Sequence, residues 1–161
     1  MTTHVVSWVL LLTLVVISGC PDVGIEPAGD ELALEYIAGG IYADMMPVIP
    51  PVVNDRLGCF VDVLVRNKGS KSLHVEFRIL QGELYRSGTR TRFGTLYFQT
   101  DWEGMLAGGE ADTVRLEKAS LSENFLQPEC GASLRLDIEL GESDRWLYKL
   151  SSDSLILGCV Y

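Results

Sequence analysis

The chain has very few of the residues on which most enzyme sites depend. Its 161 residues include only two histidines, His4 and His74, and its four cysteines form no CxxC pair. His74 alternates with Glu76 and Arg78 and is expected on the outer face of a strand, so neither a Ser–His–Asp nor a Cys–His arrangement is predicted. No Gly-x-Ser-x-Gly, phosphate-loop or His-Glu-x-x-His motif occurs. Paired carboxylates remain the only catalytic alternative, but chance pairs are certain among 22 acidic residues.

Basic residues are also scarce, with 13 Lys and Arg against 22 Asp and Glu, a net charge of −9. All of these charges follow Cys20. An acidic surface argues against binding to nucleic acid and against charge-driven binding to anionic lipid head groups. No motif for a cofactor is present, and none is predicted.

No metal site is predicted either. No histidine lies near a cysteine in the sequence, which argues against zinc. Four acidic residues flank one Gly-rich loop and offer oxygen ligands for calcium, but their spacing matches no EF-hand, and a solvated loop is the alternative. These residues are Asp101, Glu103, Glu110 and Asp112.

The longest apolar run is too short to cross a membrane. It covers 13 residues, from Val5 to Ile17, whereas a spanning helix needs about 20. The core of a signal peptide needs only about 7 to 15. Two small residues, Ser18 and Gly19, follow the run and leave room for a peptidase. The pattern therefore predicts export.

Ile17, Ser18, Gly19 and Cys20 resemble the lipobox of bacterial lipoproteins, which has an aliphatic residue, two small residues and a cysteine. The resemblance implies cleavage after Gly19 and a diacylglycerol on Cys20, which becomes the first mature residue. Two acyl chains give stable membrane attachment, so the domain is expected at the cell envelope, in the periplasm or outside the cell. The leader departs from the pattern because residues 1–4 contain no Lys or Arg. An uncleaved short anchor and a soluble signal peptide with an incidental cysteine are the alternatives.

Three regions follow from this organisation. Residues 1–19 form the signal peptide, residues 20–45 the lipidated cysteine and a tether, and residues 46–161 one β-domain of ordinary size. Within the tether region, Asp30 is a candidate cap for a short helix over residues 31–38, which Gly39 and Gly40 would end. Leu32, Leu34 and Tyr36 alternate, however, so a strand is also consistent with this stretch.

Two-residue alternation runs through the β-domain. Cys59–Arg66 and Leu73–Ile79 are predicted to form a hairpin around the turn at residues 67–70. An edge segment is predicted at residues 45–53, where three prolines cannot donate to a central ladder, and a helical turn at residues 121–127. About seven short strands predict an all-β, antiparallel β-sandwich. The other inward-facing residues are Leu96, Phe98, Val114, Leu116, Leu134, Leu136, Ile138 and Leu140.

Residues 63–70 and 106–114 resemble the immunoglobulin-like adhesion modules of bacterial surface proteins. Those modules combine a strand–Asn-x-Gly hairpin with a strand that begins Leu-x-x-Gly-Glu-x-x-x-Val. The resemblance covers about residues 58–118. It implies an immunoglobulin-like sandwich but transfers no site residues.

If Cys20 carries lipid, three cysteines remain in an oxidising compartment, which allows one disulfide. Strand direction places Cys59 and Cys130 at one end of the sandwich. A hairpin centred near Glu142 sets Cys130 opposite Leu155, so that Cys159 lies too far along the chain. A Cys59–Cys130 bond is therefore predicted, with three buried, reduced thiols as the alternative.

Candidate contacts for a partner are Trp102 and three arginines, Arg86, Arg90 and Arg92. An aromatic residue in a loop can anchor a partner or a sugar, although it can instead cover the end of the core. The arginines form the only basic patch, and their alternative role is to protect an edge strand from aggregation.

The sequence therefore predicts a lipid-anchored binding or scaffolding module, not an enzyme, that contacts the membrane through Cys20. An envelope protein or a polysaccharide is the expected partner. An envelope enzyme with paired carboxylates and a structural subunit of an envelope complex are the two alternatives.

Overall fold

The computed structural model describes residues 29–45, 56–143 and 146–161. The signal peptide, Cys20, residues 21–28 of the tether and most of the Pro-rich edge segment lie outside these ranges. The described residues form eleven strands and one 3-10 turn, Gly29–Glu31. The strands are β1 Leu32–Asp44, β2 Leu57–Asn67, β3 Leu73–His74, β4 Ile79–Arg86, β5 Arg92–Gln99, β6 Met105–Leu106, β7 Ala111–Leu121, β8 Ser133–Ser143, β9 Trp146–Ser151, β10 Leu155–Ile156 and β11 Gly158–Val160.

The predicted all-β, sandwich-like fold is confirmed, but the described residues contain eleven strands rather than about seven. A membrane-crossing helix is not found in the part of the chain that the structure describes.

Nine strands form one sheet in the order β10-β8-β4-β5-β7-β2-β1-β11, and β9 also pairs with β8. β3 and β6 form a separate two-stranded sheet. The pairs are antiparallel except β1 with β11. Only Leu157 separates β10 from β11, although these strands pair at opposite ends of the sheet. The last strands therefore bring the two ends together, and the sheet curls around one core.

The core follows the two-residue period of the strands. Val61, Val63 and Val65 on β2 are fully buried, and the buried Leu116 and Val114 of β7 are the cross-strand neighbours of Val61 and Val63. Each such side chain contributes roughly 1.5–3 kcal/mol on burial relative to exposure. The buried residues that alternation predicted are Leu96, Phe98, Val114, Leu116, Leu134, Leu136, Ile138 and Leu140.

Residues 32–44 form a strand, so the alternating pattern was the correct interpretation and the short helix was not. β1 pairs with β2 from Leu32 to Ala43, with a bulge between Tyr36 and Ala38. Gly40 does not end the element. It lies beneath the ring of Phe60, whose Cε1 is only 2.4 Å from where a Cβ on Gly40 would stand, so glycine admits the aromatic ring.

The predicted hairpin between Cys59–Arg66 and Leu73–Ile79 is wrong. β2 pairs with β1 and β7, whereas Leu73 and His74 pair with β6. The buried side chain of Asn67 explains the change of direction. Its Nδ2 donates to the carbonyl oxygens of Lys71 (2.7 Å) and Ala107 (3.0 Å), and its Oδ1 accepts from the Gly69 N–H (2.9 Å). The turn thus directs the chain to the second sheet.

The predicted Cys59–Cys130 disulfide is also wrong. Cys130 bonds to Cys159, with Cα atoms 5.8 Å apart, whereas Cys59 is a buried free thiol. β8 and β9 pair Ser143 with Trp146, so their hairpin lies about two residues later than predicted. The same register continues into the pair of Leu134 with Leu155, and it brings Cys159 opposite Cys130.

Candidate functional site

Trp102 lies where the chain leaves the main sheet. β5 ends at Gln99, and residues 100–104 lead from it to β6 in the smaller sheet. The half-buried indole stacks on Phe77, with ring centroids 5.8 Å apart and planes at 28°. Its Nε1 donates to Asp112 Oδ2 at 2.9 Å. Trp102 therefore covers the end of the core, as one interpretation of the sequence proposed, and contacts on two sides fix its orientation.

Gly104 allows this connection to pass close to β3. The Val75 N–H donates to the Gly104 carbonyl at 2.8 Å, and a Cβ on Gly104 would stand 2.1 Å from the Val75 oxygen. Its φ of +79° also lies in the region that favours glycine. The close approach of the Gly104 and Val75 backbones thus fixes the course of residues 100–104, and with it the position of Trp102.

Two hollows lie beside Trp102. The first has a volume of about 320 Å³ and lies between residues 99–102 and β7; we name it the Trp102 cleft. Its lining residues are Gln99, Thr100, Asp101, Trp102, Thr113, Val114, Arg115 and Glu117. The second measures about 180 Å³ and contains His74, Glu76, Phe77 and Glu103. Pockets for small ligands are mostly apolar with a few polar groups, whereas the lining of the Trp102 cleft is mostly polar and Trp102 is its aromatic wall.

Arg115 is neutralised by a carboxylate outside the Trp102 cleft. Its Nε and Nη2 donate to the two carboxylate oxygens of Asp62, each at 2.8 Å, and its guanidinium lies 4.7 Å from the centre of the Phe60 ring. These hydrogen bonds hold the pKa of Asp62 below its ordinary value, with the positive charge of Arg115 acting in the same direction. Arg115 also acts electrostatically on Glu117. With Asp62 included, three carboxylates, Asp62, Asp101 and Glu117, stand against this one guanidinium, so the cleft and its border are acidic.

Two of the four acidic residues considered for calcium accept hydrogen bonds from the protein itself. Asp112 accepts from Trp102 and, through Oδ1, from the Thr113 N–H at 2.8 Å, and Glu110 accepts from the Ala107 N–H. Among the described residues, no three His, Cys, Asp or Glu side chains gather as metal ligands would.

The three candidate arginines lie on or near the β4–β5 hairpin. Arg92 Nη2 donates to Glu83 Oε1 at 2.8 Å and to Thr95 Oγ1 at 2.9 Å, while Arg86 and Arg90 are exposed near the turn. Their interpretation as guards of an edge strand is wrong, because β4 and β5 each have a strand on both sides.

Arg92 also borders a separate hollow of about 590 Å³, together with the exposed Tyr97 and Leu126. The structure places Arg92 and Trp102 in different hollows. It therefore does not join the two groups of candidate residues into one site.

Sequence reasoning missed Phe77 and Thr113 as parts of the site. Both were interpreted only as strand residues, and no local signal marks them. Phe77 joins the site because it stacks on the indole of Trp102, and Thr113 joins it because the pairing of β5 with β7 ends at Gln99. Both contacts depend on the meeting of distant segments.

No model of a known protein family matches this sequence, and comparison with curated proteins finds no match.

Proposed function

We propose that this protein is a lipid-anchored binding module of the cell envelope that holds its ligand or partner in the Trp102 cleft. The observation that carries the binding role is the fixed indole of Trp102 beside an acidic cleft of about 320 Å³. Rigid aromatic side chains offer large contact area at low entropic cost, and such residues are frequent energetic anchors.

Two observations support the location. Ile17–Cys20 has the lipobox pattern, and a diacylglycerol on Cys20 anchors the chain without a spanning helix. The Cys130–Cys159 bond suits an oxidising compartment, where disulfides persist.

A structural subunit of an envelope complex is the second candidate, and one surface favours it. Tyr42, Val160 and Tyr161 are exposed by 49%, 48% and 83%, and they lie at the end of the sheet where β1 pairs with β11. Apolar groups grouped in this way are common at contacts between proteins.

The anchor is tested by metabolic labelling with a radioactive fatty acid. The full chain is expected to take up label, and Cys20→Ser is expected to take up none and to leave the membrane fraction. Cys59→Ser is the matched control and should label normally. Labelling that persists in Cys20→Ser would overturn the lipid assignment.

The binding role is tested by cross-linking in intact cells. A photo-reactive amino acid at Thr113, inside the Trp102 cleft, should yield a reproducible adduct, whereas the same group at the exposed Glu129 should not. Adducts of equal yield at both positions, or adducts only near Tyr161, would contradict the cleft and favour the structural role.

A further inference from the structure

The Trp102 cleft is a gap in the main sheet. β5 pairs with β7 only from Leu96–Leu121 to Gln99–Glu117. β7 continues upstream to Ala111 and pairs with β2 along residues 111–117. Within the described ranges, residues 111–116 therefore have a neighbouring strand on the β2 side alone.

The register shows which backbone groups face the gap. The Asn67 N–H donates to the Glu110 carbonyl at 2.9 Å, while the Glu110 N–H donates to the Ala107 carbonyl in the turn. The single bond from Asn67 is enough to place these two residues at a hydrogen-bonded position of the register. In antiparallel sheets such positions recur at every second residue, which directs the backbones of Asp112 and Val114 toward β2. The backbones of Thr113 and Arg115 consequently face the Trp102 cleft.

A side chain confirms this orientation. The Thr113 N–H is bonded to Asp112 Oδ1 at 2.8 Å, which is a local partner and not another strand. Asp112 also holds the indole of Trp102. The carboxylate of Asp112 thus orients the indole of Trp102 and also accepts a hydrogen bond from the Thr113 N–H, which is one of the backbone donors that face the gap.

The side chains around the gap favour a positively charged occupant. Asp101, Glu117 and Arg115 line the Trp102 cleft. The charge of Arg115 is paired with Asp62 on the neighbouring strand β2 and also acts on Glu117, so negative charge remains in excess. Open strand edges bind extended peptides by adding a strand, and side-chain pockets then supply specificity. A glycan lacks the regular N–H and C=O spacing that such an edge recognises.

We infer that the Trp102 cleft binds an extended peptide segment with basic side chains, which pairs through its backbone with Thr113 and Arg115. This inference rests on the proposed binding function and names the class of partner. The indole of Trp102 packs against the peptide from the opposite wall, and Asp101 and Glu117 attract its basic side chains.

The test follows backbone amide signals of the full-length, 15N-labelled chain in detergent by NMR. The probe is the capped peptide Lys-Val-Lys-Val-Lys, with two matched versions that are N-methylated on all lysines or on all valines. The Arg115 amide is expected to shift and to exchange at least tenfold more slowly. In a bound strand, the backbone N–H groups of every second residue point toward β7, and N-methylation removes these donors. One methylated peptide should therefore bind at least tenfold more weakly, and the other should bind normally.

Charge variants provide the second arm. Glu117→Lys and Asp101→Lys should each weaken the unmethylated peptide at least fivefold, whereas Glu129→Lys makes the same change of charge outside the cleft and should leave binding unchanged. Two variants are used so that a folding defect in one does not decide the result.

Three results would overturn the inference. The first is equal binding of both methylated peptides, and the second is an Arg115 amide that is already protected in the free chain. The third is a shift of the Thr113 and Arg115 amides by N-acetylglucosamine trimer and not by the peptide. In the third case the proposed binding function survives, because the cleft would still bind an envelope ligand.

Discussion

The Cys130–Cys159 disulfide gives the sharpest test of how this sheet is closed. It joins the segment that precedes β8 to β11, the last strand, over a sequence separation of 29 residues. β11 contributes only three paired residues to β1. Replacing both cysteines in Cys130→Ala/Cys159→Ala therefore frees a short closing strand from its covalent link.

The size of the effect follows from the length of the loop. In the chain-entropy model, closing a loop of this length in the unfolded chain stabilises the folded state by roughly 3–4 kcal/mol. Urea lowers the free energy of unfolding by about 1–3 kcal/mol per molar for a domain of this size. The unfolding midpoint of the double variant is therefore expected to fall by roughly 1–4 M.

The assay is urea unfolding followed by tryptophan fluorescence at neutral pH. The natural chain in excess dithiothreitol should unfold close to the double variant, because reduction removes the same link. Cys59→Ser is the control, because Cys59 is not bonded and this variant keeps the Cys130–Cys159 bond. Its midpoint should therefore fall in dithiothreitol by as much as that of the natural chain. The difference in midpoint between Cys59→Ser and the natural chain, both in dithiothreitol, measures the effect of the substitution on packing around residue 59.

An unchanged midpoint in the double variant would refute the assigned pairing. The same conclusion would follow if mass mapping of the unreduced protein found a peptide that links Cys59 to Cys130.

Three further predictions concern other parts of the domain. Burial raises the pKa of Cys59 from 9.0 to about 12, so the folded state keeps its proton longer and stability should fall as pH rises from about 9 to 12; Cys59→Ala should flatten that slope in alkaline unfolding curves. Gly104→Ala should destabilise by well over the ~1–2 kcal/mol of a left-handed alanine, because its Cβ meets backbone, whereas Gly109→Ala, at a φ of +78° with open space, should cost only that amount in urea unfolding. The hydrogen bonds from Arg115 lower the pKa of Asp62, so this pair stabilises the fold above about pH 4 and loses its effect as pH falls; Asp62→Asn should reduce acid sensitivity in melting curves between pH 5 and 2, and equal slopes would contradict this.

Alternation predicted the strands and the core because a pleated strand has a fixed two-residue period. Val61, Val63 and Val65 carry that period without interruption, and all three are fully buried. The same rule supported a strand at residues 32–36, where a capping residue also suggested a helix. This stretch is a strand because β1 pairs with β2 from Leu32 to Ala43. A local sequence pattern does not reveal such a contact with a distant segment.

Pairing partners could not be read from the sequence for the same reason. The turn at Asn67 is local and was recognised, but the direction of the chain after it depends on Nδ2 bonds to Lys71 and Ala107. Ala107 lies 40 residues away. The disulfide prediction was wrong because of a smaller error. The centre of the β8–β9 hairpin lies about two residues later than predicted, which moves the residue opposite Cys130 by four positions, from Leu155 to Cys159.

The Trp102 cleft forms because the residues that follow β5 join the smaller sheet and do not continue the pairing of β5 with β7. β7 continues past Glu117, its last pair with β5, to Ala111, but β5 ends at Gln99 and the chain turns away so that Gly104 and Met105 can reach β3. The smaller sheet is therefore completed at the expense of pairing in the larger one, and the unpaired stretch of β7 lies beneath Trp102. Proteins normally cover or charge such an edge, and here Asp112 occupies only one of its donors. An edge left open within a sheet that is otherwise closed is a local departure from an ideal fold, and departures of this kind are where function is expected.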